Sequence, residues 1–169
     1  MSSLRVIPTA LFVSVATVST LGVAAPIEAL QPMAYLAGHC WKGDFGDGKR
    51  TDEHCFVWLY DGKALRDTHT VRTPGQPDYI GETTYYWDSA AKRVEYIYIE
   101  NAGGVMRGTV ESASGPLVFP ATQYVEGGKS TTFRVRWTRL SDTSYEAWSE
   151  MQRNDAWTTM FKMTMKRPS

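Results

Sequence analysis

The sequence predicts an all-β fold, a single antiparallel up-and-down barrel of nine to ten strands. Three observations carry that expectation. Apolar and polar residues alternate through segment after segment, as where Phe133, Val135 and Trp137 are interleaved with Arg134 and Arg136, which is the period of a half-buried strand. Short turns rich in Gly, Asp and Asn separate the segments, Asp47-Gly48 and Asp61-Gly62 foremost, and Asp-Gly between alternating residues is a strong hairpin signal. No long helical pattern follows Met33. A sheet of this many twisted strands leaves two edges to manage, and pairing the last strand with the first removes both. A barrel of that size holds either a packed interior or one small ligand.

The chain opens on a different kind of segment. Arg5 precedes an apolar run from Ala10 to Val23, and the small residues Ala24 and Ala25 follow. This is the pattern of a secretory signal peptide, so residues 1–25 are read as a cleaved leader, with cleavage after Ala24 keeping Pro26 away from the +1 position. A membrane anchor is the competing reading, but Ser14, Thr17, Ser19, Thr20 and Gly22 make the run weak and short for a span. Residues 26–35 form a lead-in in which Ile27, Leu30 and Met33 recur at the spacing of one helical face. The barrel domain is expected over 36–169.

Its first three strands are expected near 38–45, 50–60 and 63–72. If both Asp-Gly turns are two-residue loops, Cys40 faces Cys55, Trp41 faces His54, His54 faces His69 and Phe56 faces Asp67. One face then carries His39, Trp41, Phe45, His54, Phe56, Trp58, Leu65, Asp67, His69 and Val71, all three histidines of the protein among them. The other carries Cys40, Lys42, Glu53, Arg66, Thr68 and Arg72. A two-residue first turn makes Cys40/Cys55 a hydrogen-bonded pair, with Cα atoms ~5.5 Å apart.

The loop from Thr73 to Asp78 has two prolines and a glycine. Strand four, 79–87, puts Tyr79, Gly81, Thr83, Tyr85 and Trp87 on one face. Strand five, 93–100, does the same with Val94, Tyr96 and Tyr98. Strand six spans 105–112, and the facing of its Arg107 is ambiguous. Leu117 to Val125 reads as a short strand or irregular edge, because Pro116 and Pro120 limit pairing. Segments 131–140, 145–152 and 157–166 complete the set, the last with Trp157, Thr159, Phe161, Met163 and Met165 expected inward.

The chain has 169 residues with 18 basic and 18 acidic side chains. Losing Arg5 with the leader leaves a net charge near −1 and no basic excess of the kind that marks nucleic-acid binding. Charges of both signs are scattered, as on a solvated barrel exterior. Six Trp and nine Tyr suit strands and a binding cavity alike. Export predicts an oxidising compartment, periplasmic or extracellular, where the two cysteines can join. Their loop of about 15 residues corresponds to roughly 3 kcal/mol in the chain-entropy model. Two free buried thiols are the alternative. No stable membrane insertion is expected after cleavage, and the protein is expected to be a monomer or weak oligomer.

Leu36-Ala37-Gly38-His39-Cys40-Trp41-Lys42-Gly43, at the opening of the first strand, is similar to the Gly…Trp…Gly start of lipocalin-like barrels. Asp61-Gly62-Lys63-Ala64-Leu65-Arg66 after Glu53-His54, then Gly81-Glu82-Thr83 and Tyr86-Trp87-Asp88, extend the likeness. The chain resembles the small bacterial lipocalin-like (calycin) domains of unknown function, distantly similar to nitrobindin and fatty-acid-binding barrels. Lipocalins proper use Gly-X-Trp, whereas two residues separate Gly38 from Trp41 here. The resemblance implies a barrel that binds a small molecule and does not name it. Nitrobindins hold haem through a histidine late in the chain. No histidine follows His69, so haem is not carried over and no cofactor is predicted.

The expected contacts of a small apolar or amphipathic ligand are Trp41, Phe56, Trp58, Tyr85 and Trp137, with His54, Asp67 and His69 as the polar end. Arg107 is a further candidate, for a ligand carboxylate, if it faces inward. Two imidazoles and a carboxylate can also hold a metal with an open position or act as acid and base, so an enzyme using this cluster is a second reading. A filled barrel acting as a structural or interaction module is a third. No nucleophile elbow or phosphate loop is present.

Overall fold

The computed structural model describes residues 25–112 and 115–168. Residues 1–24 of the expected leader therefore lie outside the described residues. Ten strands close into one antiparallel barrel in up-and-down order: β1 His39–Asp44, β2 Thr51–Leu59, β3 Ala64–Arg72, β4 Tyr79–Asp88, β5 Arg93–Glu100, β6 Val105–Val110, β7 Leu117–Glu126, β8 Lys129–Ser141, β9 Ser144–Arg153 and β10 Ala156–Lys166. β1 meets β10 at the seam, through Lys42 opposite Lys166.

The expected pairings of the first three strands hold, including Cys40/Cys55, Trp41/His54, His54/His69 and Phe56/Asp67. The turns that set them are longer than two residues. Phe45 N–H donates to the Arg50 carbonyl (3.2 Å), which leaves Gly46 to Lys49 as a four-residue loop. Asp47 Oδ1 caps this loop by accepting from the Lys49 and Arg50 N–H groups. Adding one residue on each side keeps the same residues opposite but inverts which pairs are hydrogen-bonded. Cys40/Cys55 is thus a non-hydrogen-bonded pair, its Cα atoms 4.0 Å apart, and it carries a disulfide. Disulfides persist in oxidising compartments, and no helix among the described residues is long and apolar enough to cross a membrane.

β7 is a full ten-residue strand. Its pairing with β8 shifts between Phe119 and Thr122, so Pro120, which has no N–H to give, sits in the irregularity. β10 departs from the expected alternation. A register shift between Thr159 and Phe161 leaves Phe161, Met163 and Met165 inward as expected but turns Trp157 and Thr159 out. Trp157 lies under the Arg134 guanidinium, and Thr159 Oγ1 accepts from Trp148 Nε1. Arg107 is exposed, between the inward Met106 and Gly108, so it is not a ligand-facing residue.

The lead-in is a 3-10 helix, Glu28–Met33, with Leu30 and Met33 buried. Three residues per turn put i and i+3 on one line, which is why the Ile27/Leu30/Met33 spacing faces one way. Leu36 is buried with them. The lead-in plugs the barrel end at the β2–β3 turn, where Ile27 N–H donates to the Gly62 carbonyl (3.1 Å). Gly62 has φ +82°, and a Cβ there would meet the Pro26 backbone at 2.6 Å. Turn and plug both require glycine at this position.

Candidate functional site

Above the plug the barrel is filled with aromatic rings. Trp41 meets Tyr145 edge-on at 5.2 Å between centroids, Trp137 meets Phe119 at 4.8 Å, and Phe56 meets Trp137 at 5.9 Å. Trp41 donates its indole N–H to the Leu36 carbonyl (3.1 Å), and Arg167 lies over its ring. Such edge-to-face contacts add to the burial of apolar area.

Beyond Trp137 the packing gives way to a cavity of about 700 Å³, within the range of small-molecule sites. Phe45 and Arg50 beside the β1–β2 loop, and Thr73 and Gln76 of the β3–β4 loop, line it, so it opens at the end away from the plug. Its walls include Met106, Phe133, Val135, Met160, Phe161 and Met163. Methionine gives an apolar wall that adapts to ligand shape.

One side of the cavity is polar, and its groups form a chain. Asp67 Oδ2 is 2.8 Å from His54 Nδ1, and His54 Nε2 is 3.2 Å from Asp52 Oδ2. Asp52 Oδ1 is 3.3 Å from His69 Nδ1, and His69 Nε2 is 3.0 Å from the Tyr98 hydroxyl. Tyr98 in turn lies 2.6 Å from the Tyr79 hydroxyl. The two imidazoles stack, 4.9 Å between centroids. Register dictates this, since His54 and His69 are directly opposite on β2 and β3. Gly81 faces His69 on β4, and a Cβ there would meet His69 Nε2 and the Tyr98 ring, each at 2.5 Å. The glycine makes room for the His69–Tyr98 contact.

Burial opposes charge on His54, but Asp67 and Asp52 on its two sides prevail and push its pKa up to about 10. His54 is then an imidazolium donating to both carboxylates. Burial likewise opposes charge on Asp52, yet His54 and His69 hold its carboxyl well below the usual range. Burial raises the Tyr98 hydroxyl far above its ordinary value, with Tyr79 adding to the effect, so Tyr98 remains a neutral hydroxyl. With His69 donating from Nδ1 to Asp52, its Nε2 accepts from Tyr98. One atom of the chain stays without a partner: Asp67 Oδ1, on a residue only 2% exposed.

Of the residues expected at a ligand, His54, Asp67, His69, Tyr85 and Trp137 line the cavity. Trp41 and Phe56 are fully buried in the aromatic packing, and Trp58 packs partly buried against the same core. His39, on the same face by alternation, is exposed near the plug, its ring edge-on to Trp41. Partial desolvation lowers its pKa, and the Arg167 charge adds to the effect. Asp52 is the residue that sequence reasoning missed. It lies two before His54 on β2, opposite Val71, so alternation alone places it inside. Tyr79 and Tyr98 were legible as inward-facing but not as partners of His69. No protein-family profile matches the sequence, and no curated protein does.

Proposed function

We propose that this chain is a lipocalin-like binding protein of the periplasm or extracellular space, holding one small apolar or amphipathic molecule in the open half of its barrel. The observation that carries the reading is the cavity of about 700 Å³ with apolar walls and one polar side. Apolar area leaving water there contributes roughly 25 cal/mol per Å², which supplies affinity. The polar chain supplies orientation. Asp52, His69, Tyr79 and Tyr98 present hydrogen-bonding groups along that side, so a head group able to hydrogen-bond fits it. The open space supports binding over a filled-barrel module.

Native mass spectrometry of protein purified from the periplasm, followed by titration with fluorescent amphiphiles of neutral, cationic and anionic head group, tests this. Saturable one-to-one uptake is expected. It should be weakened at least tenfold by Phe133→Ala, and its head-group preference altered by Tyr98→Phe. A protein with no adduct and no saturable uptake of any probe is not a binder of this kind.

A further inference from the structure

We infer that Asp52, His54 and His69 form a binding site for one divalent transition cation on the polar side of the cavity. The spacing of their donor atoms comes first. Asp52 stands between the two imidazoles, its Oδ2 3.2 Å from His54 Nε2 and its Oδ1 3.3 Å from His69 Nδ1. Metal–nitrogen bonds of 2.0–2.1 Å in a tetrahedron require ligand atoms about 3.3 Å apart. One donor atom from each residue lies within 4.8 Å of the other two, and a bound cation would draw the three together to that spacing.

Each imidazole nitrogen that faces away from Asp52 is held by a partner. His54 Nδ1 donates to Asp67, and with a cation at Nδ1 the His69 proton would sit on Nε2 and be donated to the Tyr98 hydroxyl 3.0 Å away. A ligating imidazole needs such support, because the hydrogen bond at one nitrogen fixes the tautomer and aims the other at the metal. Asp67 therefore takes the place of a positioning residue, not a ligand. Its second oxygen, Oδ1, is buried and unpartnered. The charges also balance: the cation displaces to solvent the proton that His54 Nε2 donates to Asp52, and with both imidazoles then neutral the carboxylates of Asp52 and Asp67 offset its 2+ charge.

The donor set selects the metal class. Two imidazoles and a carboxylate suit zinc and its first-row neighbours, while calcium and magnesium call for oxygen ligands. Three protein ligands leave a coordination position open. All three line the cavity, so the cation borders the space where the small molecule is proposed to sit. The inference stands apart from that proposal, since either kind of binding can occur without the other. The other cluster of suitable side chains among the described residues, Cys40, Glu53 and Cys55, has its sulfurs tied in the disulfide.

The test uses tag-free protein, stripped with EDTA and dialysed, titrated with Zn²⁺ by calorimetry and with Co²⁺ by visible absorption. One equivalent should bind saturably, with the d–d absorption of four- or five-coordinate Co²⁺ and no thiolate charge-transfer band. His69→Ala and Asp52→Asn should each weaken Zn²⁺ at least tenfold. Asp67→Asn should weaken it about tenfold, the low end for an outer-shell partner, and His39→Ala should leave it unchanged. Unsaturable binding, wild-type affinity in His69→Ala and Asp52→Asn, or loss on His39→Ala overturns the site. Should the inner variants lose their fold by circular dichroism, X-ray absorption of the Zn²⁺-loaded wild type decides: two imidazoles in the shell support the site, and an all-oxygen or sulfur shell overturns it. Amphiphile uptake measured on the stripped protein shows separately whether the cavity reading stands.

Discussion

Phe56 and His54 point into the same barrel from neighbouring inward positions of one strand, their rings stacked at 6.0 Å. Below them Trp41, Tyr145 and Phe119 leave no space; above them a cavity begins. Trp137 forms the boundary, edge-on to both Phe56 and His54 at 5.9 Å. The lower half, closed by the 3-10 helix, is held by shape complementarity. The upper half holds its open shape through a hydrogen-bonded chain in which nearly every polar atom has a partner. A barrel of ten strands thus keeps a rigid base while exposing chemistry at its mouth. Substitutions should separate the two: below, they cost stability; above, they cost binding.

The largest effect is expected at Trp41. Trp41→Ala removes a fully buried ring and its hydrogen bond to Leu36, and should cost about 3–5 kcal/mol in urea unfolding. A loss under 1 kcal/mol would deny that the lower half is the structural base. The Cys40→Ser/Cys55→Ser pair should cost roughly 3 kcal/mol, with the Zn²⁺ titration giving its usual stoichiometry in whatever fraction stays folded.

The upper half should show itself through pH. With chelator present, His54 has a folded pKa near 10 against an ordinary 6.5. Its contribution is therefore complete below pH 6.5 and fades as pH rises toward 10. Asp52, held low, contributes above its ordinary 3.8 and fades in acid. Thermal melts should peak between these limits, near pH 5–6. A His54→Gln/Asp67→Asn double variant, which removes charge and partner together, should flatten the alkaline limb, and an unchanged limb would place its cause elsewhere.

Gly81→Ala should cost about 1–3 kcal/mol as an overpacked site, but weaken Zn²⁺ and amphiphile binding more than that stability loss explains, because it parts His69 from Tyr98. His39→Ala, at an exposed ring near the plug, should stay within about 0.5 kcal/mol and leave binding intact.

The inward row of the first three strands was legible because loops lengthened by one residue on each side preserve which residues face each other. The hydrogen-bond phase was not, since that depends on loop length itself, and Cys40/Cys55 changed kind accordingly. Asp52 was available to the same alternation that found His54. The chain from His69 to Tyr98 and Tyr79 spans three strands and is fixed by side-chain reach, which turn counting does not supply. Trp157 and Thr159 were misplaced because a bulge near Met160 reversed the alternation, and no glycine or proline marks it in the sequence. Trp41, Phe56 and Trp58 were assigned to the ligand by facing alone, whereas depth along the barrel decides between packing and wall.

Lys42 stands opposite Lys166 at the seam, a like-charge pair that weakens the join. The barrel is mechanically uneven for that reason. Under load the seam should part first, and the crosslink between residues 40 and 55 should keep β1 from peeling away alone. β1 and β2 should then swing as one leaf, carrying Asp52 and His54 away from the opposite wall. Pulling on residues 42 and 166 in a force spectrometer should therefore require less force than pulling on any other adjacent strand pair, and should release the contents of the cavity before the aromatic base unravels.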